Sequence, residues 1–219
     1  MTEAMKKKIE QGREYRKMIL EVRETEEEND YTVTGYATTF DEPYTLYSIG
    51  DGKVVKEQVS RNAFDNTDRS DTIMQFDHEG VVFARLSNDT LKLTIDDHGL
   101  FVEAYLGGTS NGRNLYEEIK GGYINKMSFG FTVTDDEFAE ADYGYLRTIK
   151  AIGKLYDVSA VSIPANDYTE ISARNHIDGA IDEIETERIR LEEERKALEE
   201  KKENLVERLK ALKESKDEN

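Results

Sequence analysis

No cysteine occurs in the 219 residues. Disulfides, thiolate zinc sites and a cysteine nucleophile are therefore excluded, and any covalent catalysis must use an oxygen or a nitrogen. Histidine is scarce, with His78, His98 and His176 the three in the chain. Nowhere is there a run of the ~20 apolar residues that a membrane helix needs. The opening MTEAMKKKIEQGREYRK has charge where a signal peptide has an apolar core, so a soluble, unexported protein without a membrane partner is expected. Positive charge is in the minority: 30 Lys and Arg stand against 47 Asp and Glu, for a net charge of −17. Such a chain repels phosphate backbones, and no nucleic-acid partner is expected. No metal-ligand or phosphate-loop spacing occurs, so no metal site and no cofactor are expected.

What is present divides into a strand-rich body and a charged tail. MILEVRE and YTVTGYATTF flank the acidic, turn-like TEEEND and predict a hairpin. KVVKEQVS, DTIMQFDH, VVFARL, LKLTID and GLFVEAYL follow, each short, β-branched or aromatic and bounded by turn residues. One helix interrupts them. SNGRNLYEEIKGG sets Leu115 and Ile119 four residues apart and ends in a double glycine suited to a left-handed cap. It leads directly into NKMSFGF, after which TVTDDEF, YLRTIKAIG and KLYDVSAVSIP read as three further strands that stop at Pro164. From Ile177 onward neither proline nor an aromatic residue occurs, and Ile177, Ile184, Leu191, Leu198, Leu205 and Leu212 recur every seven residues. Ile181, Arg188, Arg195, Lys202 and Leu209 complete the heptad core, giving a helix of ~55 Å at 1.5 Å per residue whose seam needs a partner. The expected organisation is a charged extension over 1–14, one domain over 15–175 and a coiled-coil helix over 176–219.

In NKMSFGF the alternation puts Met127, Phe129 and Phe131 on one face of a strand and only Ser128 and Gly130 on the other. Either the second face packs tightly against another element, or something reaches the hydroxyl. A serine nucleophile needs a base, with the histidines foremost and lysine a rarer choice. His98 is accounted for by its polar IDDHGL turn and His176 by the charged linker, whereas His78 sits where the strand-like TIMQF leaves a core. A third group must orient the imidazole, and Asp157 interrupts the apolar run of KLYDVSAVSIP. Each residue also has a purely structural explanation: Ser128 and Gly130 as close-packing small residues, His78 as a structural imidazole, Asp157 as an edge-strand charge. A glycosidase with paired carboxylates suits the acidity but finds no specific pair.

The order GYATTF, RNAFD, QFDHE, DDHGLFVEAYL, GRNLYEEIKGGYINKMSFGF and YDVSAVSIPAN resembles the prohead maturation proteases of tailed phages, relatives of herpesvirus assemblin, over about 31–174. The resemblance implies an α+β fold: a mainly antiparallel β-barrel of the assemblin-like type with flanking helices, here followed by the coiled-coil helix. It implies a serine endopeptidase with Ser128 as nucleophile, His78 as general base and Asp157, where glutamate is common, as orienting acid. Asn62 stands where the family usually has glycine. The implied substrates are the major capsid protein with its scaffold domain, or a separate scaffold protein, cut inside assembling procapsids in the bacterial host cytoplasm, with self-cleavage expected. The helix over 177–212 would then recruit the enzyme to a scaffold coil. The alternative is a non-catalytic assembly factor that works through that coil. Oxyanion donors are expected from backbone N–H groups near the nucleophile or in a nearby loop, with Arg147 as a side-chain candidate.

Overall fold

The computed structural model describes residues 3–22, 30–162 and 169–217. The chain divides into two compact units, Met1–Asn175 and His176–Asn219. Helix α1 (Glu3–Glu10) precedes ten strands: β1 (Glu14–Val22), β2 (Thr32–Thr39), β3 (Tyr44–Gly50), β4 (Lys53–Val59), β5 (Ile73–Phe76), β6 (Glu79–Arg85), β7 (Leu91–Ile95), β8 (Gly99–Tyr105), β9 (Lys126–Ala141) and β10 (Gly144–Val161). Helix α2 (Ser110–Lys120) lies between β8 and β9, and α3 (Thr169–Asp217) closes the sequence of elements. The fold is α+β and dominated by strands.

Most elements fall where the residue pattern puts them. β1 and β2 pair antiparallel, with Leu20 opposite Gly35, although the intervening TEEEND lies mostly outside the described residues. α2 begins at a Thr109 cap whose side chain accepts from the Gly112 N–H. It ends where Gly122, at φ +76°, takes the left-handed backbone that the double glycine supplies. NKMSFGF and TVTDDEF prove to be one 16-residue strand, β9, and YLRTIKAIG and KLYDVSAVSIP one 18-residue strand, β10. Gly153 does not end β10. Register shifts between Ile149 and Asp157 let the two long strands bend and stay paired. Helix α1, strand β3 and a short 3₁₀ turn over Leu86–Asn88 have no counterpart in the sequence-based reading. Asn62 lies in a turn and its carbonyl accepts from the Asp65 N–H; its φ is not positive, so glycine's conformational freedom is not required there.

The strands are joined in the order β3-β4-β10-β9-β1-β2-β8-β7, with β5 paired to β10 and β6 to β5. The ladders of the described residues do not close a barrel. A single parallel bridge, Phe40 to Val59, links the chain just past β2 to the end of β4. One continuous apolar core takes Val33, Val59, Phe64, Met74, Leu91, Leu100, Leu115 and Ile149 from strands, turns and α2 alike. It includes Met127, Phe129 and Phe131, the apolar face of β9, with the two phenylalanine rings stacked at 4.5 Å. At one part of this interior the packing is ionic. Arg16 reaches Glu57 at 2.5 Å and Glu14 at 2.6 Å, and Arg147 reaches Glu14 and Asp136 at 2.7 Å and Glu57 at 2.9 Å. The Tyr44 hydroxyl donates to Glu57 as well.

Helix α3, whose residues from His176 onward belong to the second unit, is ~73 Å long at 1.5 Å per residue over its 49 residues. Leu191, Leu198 and Leu205, three of the seven-residue series, are exposed by 52%, 68% and 60%.

Candidate active site

Ser128 lies in the middle of the sheet, not at its rim. β9 is flanked on one side by β1, with Lys17 opposite Ser128, and on the other by β10, with Ser159 opposite Ser128. Two residues along, Gly130 stands between Tyr15 and Asp157. Directly opposed residues share a face, so Tyr15, Ser128, Gly130, Asp157 and Ser159 all project from the side of the sheet away from Phe129 and Phe131.

Asp157 reaches that side because of a bulge. Strict alternation from Leu155, which opposes Phe131 in the core, would aim Asp157 into the core as well. Instead β10 advances two residues from Leu155 to Asp157 while β9 advances one from Phe131 to Gly130. The extra residue, Tyr156, resets the phase. Val158 and Ala160 then join Phe129 and Met127 in the core, and Asp157 and Ser159 turn to the serine face. Asp157 is not an edge charge, because β10 is paired on both sides there, with β9 and β5.

His78 is delivered by the two-residue turn between β5 and β6, in which Phe76 pairs with Glu79. Asp77 and His78 adopt φ of 48° and 61°, the left-handed pair of the hairpin turn that suits strand twist. For non-glycine residues this backbone costs about 1–2 kcal/mol each, and the surroundings hold it in place. The Asp77 carboxylate accepts from Ser162 N–H at 2.9 Å and Ser162 Oγ at 2.7 Å, its own N–H donates to the Ala160 carbonyl, and Lys8 Nζ of α1 donates to the His78 carbonyl at 2.5 Å.

So held, His78 Nδ1 lies 2.5 Å from Asp157 Oδ1, and the same oxygen accepts from Ser159 Oγ at 2.7 Å. The Tyr15 ring meets the imidazole edge-on at 4.3 Å. Gly130 makes room for all of this: a Cβ on it would sit 2.6 Å from Asp157 Oδ2 and 2.7 Å from Tyr15 Cε1. Burial pushes the Asp157 carboxyl up, but the His78 hydrogen bond and charge, the Ser159 hydroxyl and the Lys8 charge outweigh it and hold it below the usual range. The Tyr15 hydroxyl is pushed up by burial and then by the Asp157 charge. Both directions favour an ionised Asp157 beside a protonated Tyr15 hydroxyl.

His78 Nε2 and Ser128 Oγ are both buried and both without a hydrogen-bond partner. A buried unpaired polar group costs about 1–3 kcal/mol, and three of them around a fixed imidazole–carboxylate pair, the Tyr15 hydroxyl being the third, call for a chemical explanation. His98 makes none of these contacts, and His176 belongs to the second unit. His98 is exposed in its turn with its ring against Tyr36, and His176 is exposed on α3. Arg147 is wholly buried in the ionic cluster with Glu14, Glu57 and Asp136, which removes it as an oxyanion donor. Asp77 and Ser159 fall inside the QFDHE and YDVSAVSIPAN segments without a role that the sequence assigns, Tyr15 and Lys8 fall in none of the quoted segments, and the contacts of all four follow from the register and the turn.

A family profile for the caudovirus prohead serine proteases matches residues 18–182, three quarters of the chain. The chain belongs to that family. The prohead protease of Enterobacteria phage HK97 is 30% identical over 146 residues, which cover 66% of this chain and 60% of that protein, so the chain spans less than two thirds of that relative's length. No solved structure matches it. The family match covers every residue of the arrangement around His78 except Lys8 and Tyr15, which precede it.

Proposed function

We propose that the chain is a serine endopeptidase of procapsid maturation, with Ser128 as nucleophile, His78 as general base and Asp157 as the acid that orients the imidazole. The observation that carries this reading is the 2.5 Å His78–Asp157 contact beside the two buried, unpartnered atoms His78 Nε2 and Ser128 Oγ. A carboxylate at Nδ1 fixes the tautomer with its proton on Nδ1 and leaves the lone pair on Nε2. Nε2 then takes the proton of Ser128 as Oγ attacks the scissile carbonyl, and returns it to the leaving amine as the tetrahedral adduct collapses to an acyl-enzyme. Water repeats the sequence to free the new carboxyl terminus. Asp157 stays ionised throughout and stabilises the imidazolium. The amides of β9 around Ser128 are committed to ladders on both sides, so the oxyanion donors of this mechanism come from a loop rather than from the nucleophile's own strand.

Ser128 and His78 are 1% and 2% exposed, and a peptide therefore gains access only when the surrounding chain opens. Barrel-type enclosure of the core belongs to the same proposal, supported by the isolated Phe40–Val59 bridge, which brings the chain just past β2 beside the end of β4. The substrates are the capsid protein, its scaffold domain or a separate scaffold protein, and the chain itself, inside procapsids in the host cell. The exposed leucines of α3 support a recruiting role for 177–212. Arg188, Arg195 and Lys202 occupy heptad core positions and would meet their own copies in a parallel homodimer, so a scaffold helix with acidic residues at those layers is the better partner.

The test is labelling of the purified chain with a fluorophosphonate and mapping of the adduct by mass spectrometry. An adduct at Ser128, lost in Ser128→Ala and in His78→Ala, is expected. Processing that persists in Ser128→Ala with no other protease present refutes the assignment, and a chain that takes no adduct yet drives capsid assembly is the non-catalytic factor.

A further inference from the structure

We infer that Ser159 is a positioning residue of this site: its hydroxyl holds Asp157 in the one placement from which the carboxylate can grip His78. The inference rests on the proposed peptidase reading for its catalytic meaning, though not for its geometry.

Asp157 Oδ1 carries two contacts, His78 Nδ1 at 2.5 Å and Ser159 Oγ at 2.7 Å. They arrive from different elements, the imidazole from the β5–β6 turn and the hydroxyl from the next residue of β10 on the same face. Asp157 is 1% exposed and Ser159 0%, so no bulk water replaces either contact. The other oxygen, Oδ2, lies 2.6 Å from where a Gly130 Cβ would stand, in the space that the missing side chain leaves. A carboxylate bonded to the imidazole alone would have only packing to set its Cβ–Cγ torsion. With Ser159 as the second donor, the two bonds converge on one oxygen and fix that torsion, so the imidazole plane is set by the sheet and not only by its own strained turn.

The bulge at Tyr156 ties the pair together. Because the phase of β10 is reset before Asp157, the residue two further along also lands on the site face, and in this chain that residue carries a hydroxyl. Ser159 stands opposite Ser128 across the β9–β10 ladder. It therefore neighbours both ends of the proposed relay, yet its hydrogen bond is given to the carboxylate. The groups that face Asp157 are His78 from the β5–β6 turn, Tyr15 from β1, Lys8 from α1 and Ser159 from its own strand.

The experiment uses the full chain, with Ser159→Ala as the deletion and Ser159→Thr as the variant that keeps the hydroxyl. The first readout needs no activity. In uniformly ¹⁵N-labelled protein the His78 Nδ1 proton, identified by its loss in His78→Gln, is expected far downfield and slow to exchange. It should broaden or vanish in Ser159→Ala and persist in Ser159→Thr. The second readout is the fluorophosphonate labelling rate of Ser128 against pH. Ser159→Ala should lower the rate about tenfold, as loss of one charge-assisted hydrogen bond predicts, and move its acid limb to higher pH, because the carboxylate has lost a donor that favours its ionised form. Ser159→Thr should restore both. An Nδ1 proton absent from the wild type, or unchanged in Ser159→Ala, overturns the inference whatever the labelling shows. Failure of the wild type to label overturns the peptidase reading alone, since the proton resonance reports the Asp157–His78 geometry independently. An unchanged labelling profile in Ser159→Ala with a wild type that labels well also refutes the positioning role.

Discussion

Replacing Gly130 by alanine should disable this site through one methyl group, and the structure says where the damage falls. The added Cβ would lie 2.6 Å from Asp157 Oδ2 and 2.7 Å from Tyr15 Cε1, against an ordinary contact that begins at 3.4 Å. The carboxylate side is therefore 0.8 Å short (3.4 − 2.6) and the ring side 0.7 Å short (3.4 − 2.7). Neither neighbour yields easily. Asp157 is a short side chain whose other oxygen is held by His78 and Ser159, and the Tyr15 ring is backed by the imidazole at 4.3 Å. Relief must come from displacing the carboxylate, the ring or β9 itself by most of an ångström. Overpacking of this kind costs about 1–3 kcal/mol of stability. A 1 Å misplacement of a catalytic constellation costs about 10²-fold in rate. The expected variant is folded, melts several degrees lower, and labels at Ser128 about 10²-fold more slowly than wild type. A Gly130→Ala protein that labels at the wild-type rate with an unchanged Tm would refute the whole packing account of the site, because the methyl could then be accommodated without moving either residue.

Asp157→Asn preserves the shape but can present its amide to the imidazole and so favour the wrong tautomer; turnover should fall by about 10³–10⁴-fold with substrate binding little changed, and equal activity from pH 6 to 9 would remove Asp157 from the mechanism. Stability should decline in acid through Glu14: burial alone would raise its carboxyl, but Arg16 and Arg147 hold it down at about 2, against 4.5 for the free group. A depressed folded-state value stabilises the fold above about 4.5, and that contribution is lost as pH falls from there toward 2; urea midpoints followed over this range should drop, and the drop should shrink in a Glu14→Gln variant already destabilised at neutral pH. Full-length chain carrying Arg188→Glu, Arg195→Glu and Lys202→Glu should lose co-sedimentation with a scaffold coil; a stable homodimer of the unaltered chain that ignores scaffold would sink the recruiting role of the tail.

What could be read from the sequence was the part governed by local pattern. The hairpin of β1 and β2, the α2 helix with its paired glycines and the two-faced β9 follow from period and turn chemistry, which act over a few residues. His78 was legible as a polar residue leaving a strand, and Asp157 as a carboxylate in apolar text. Their meeting was implied by the family resemblance and not by the residue pattern, because it depends on two features that no alternation reveals. The Tyr156 bulge inverts the side on which Asp157 projects, and a simple period-two count would send it into the core beside Leu155. The left-handed turn at Asp77 and His78 lacks glycine and asparagine, the usual markers of such backbone, and is held by contacts with Ser162, Ala160 and Lys8 that are remote in sequence. β3 was missed because YTLYSIG, between a proline and a glycine-rich turn, reads equally well as an irregular connection.

Strand β1 carries the least obvious part of the design, since adjacent residues serve opposite sides of the sheet. Tyr15 projects to the site face and braces the imidazole, whereas Glu14 and Arg16 project to the interior and enter the ionic cluster with Glu57 and Arg147. A buried ion pair is weak evidence of net stability, because desolvation offsets most of the Coulombic gain. Its contribution here is registry. The pairs of Glu14 and Arg16 with Glu57 and Arg147 form with Glu14 opposite Phe131, and a slip of one residue would turn Tyr15 into the interior and a charged neighbour onto the site face. The buried charges thus fix the strand that places Tyr15 opposite Gly130, and through Gly130 and Asp157 they set the position of His78, without themselves touching any reacting atom.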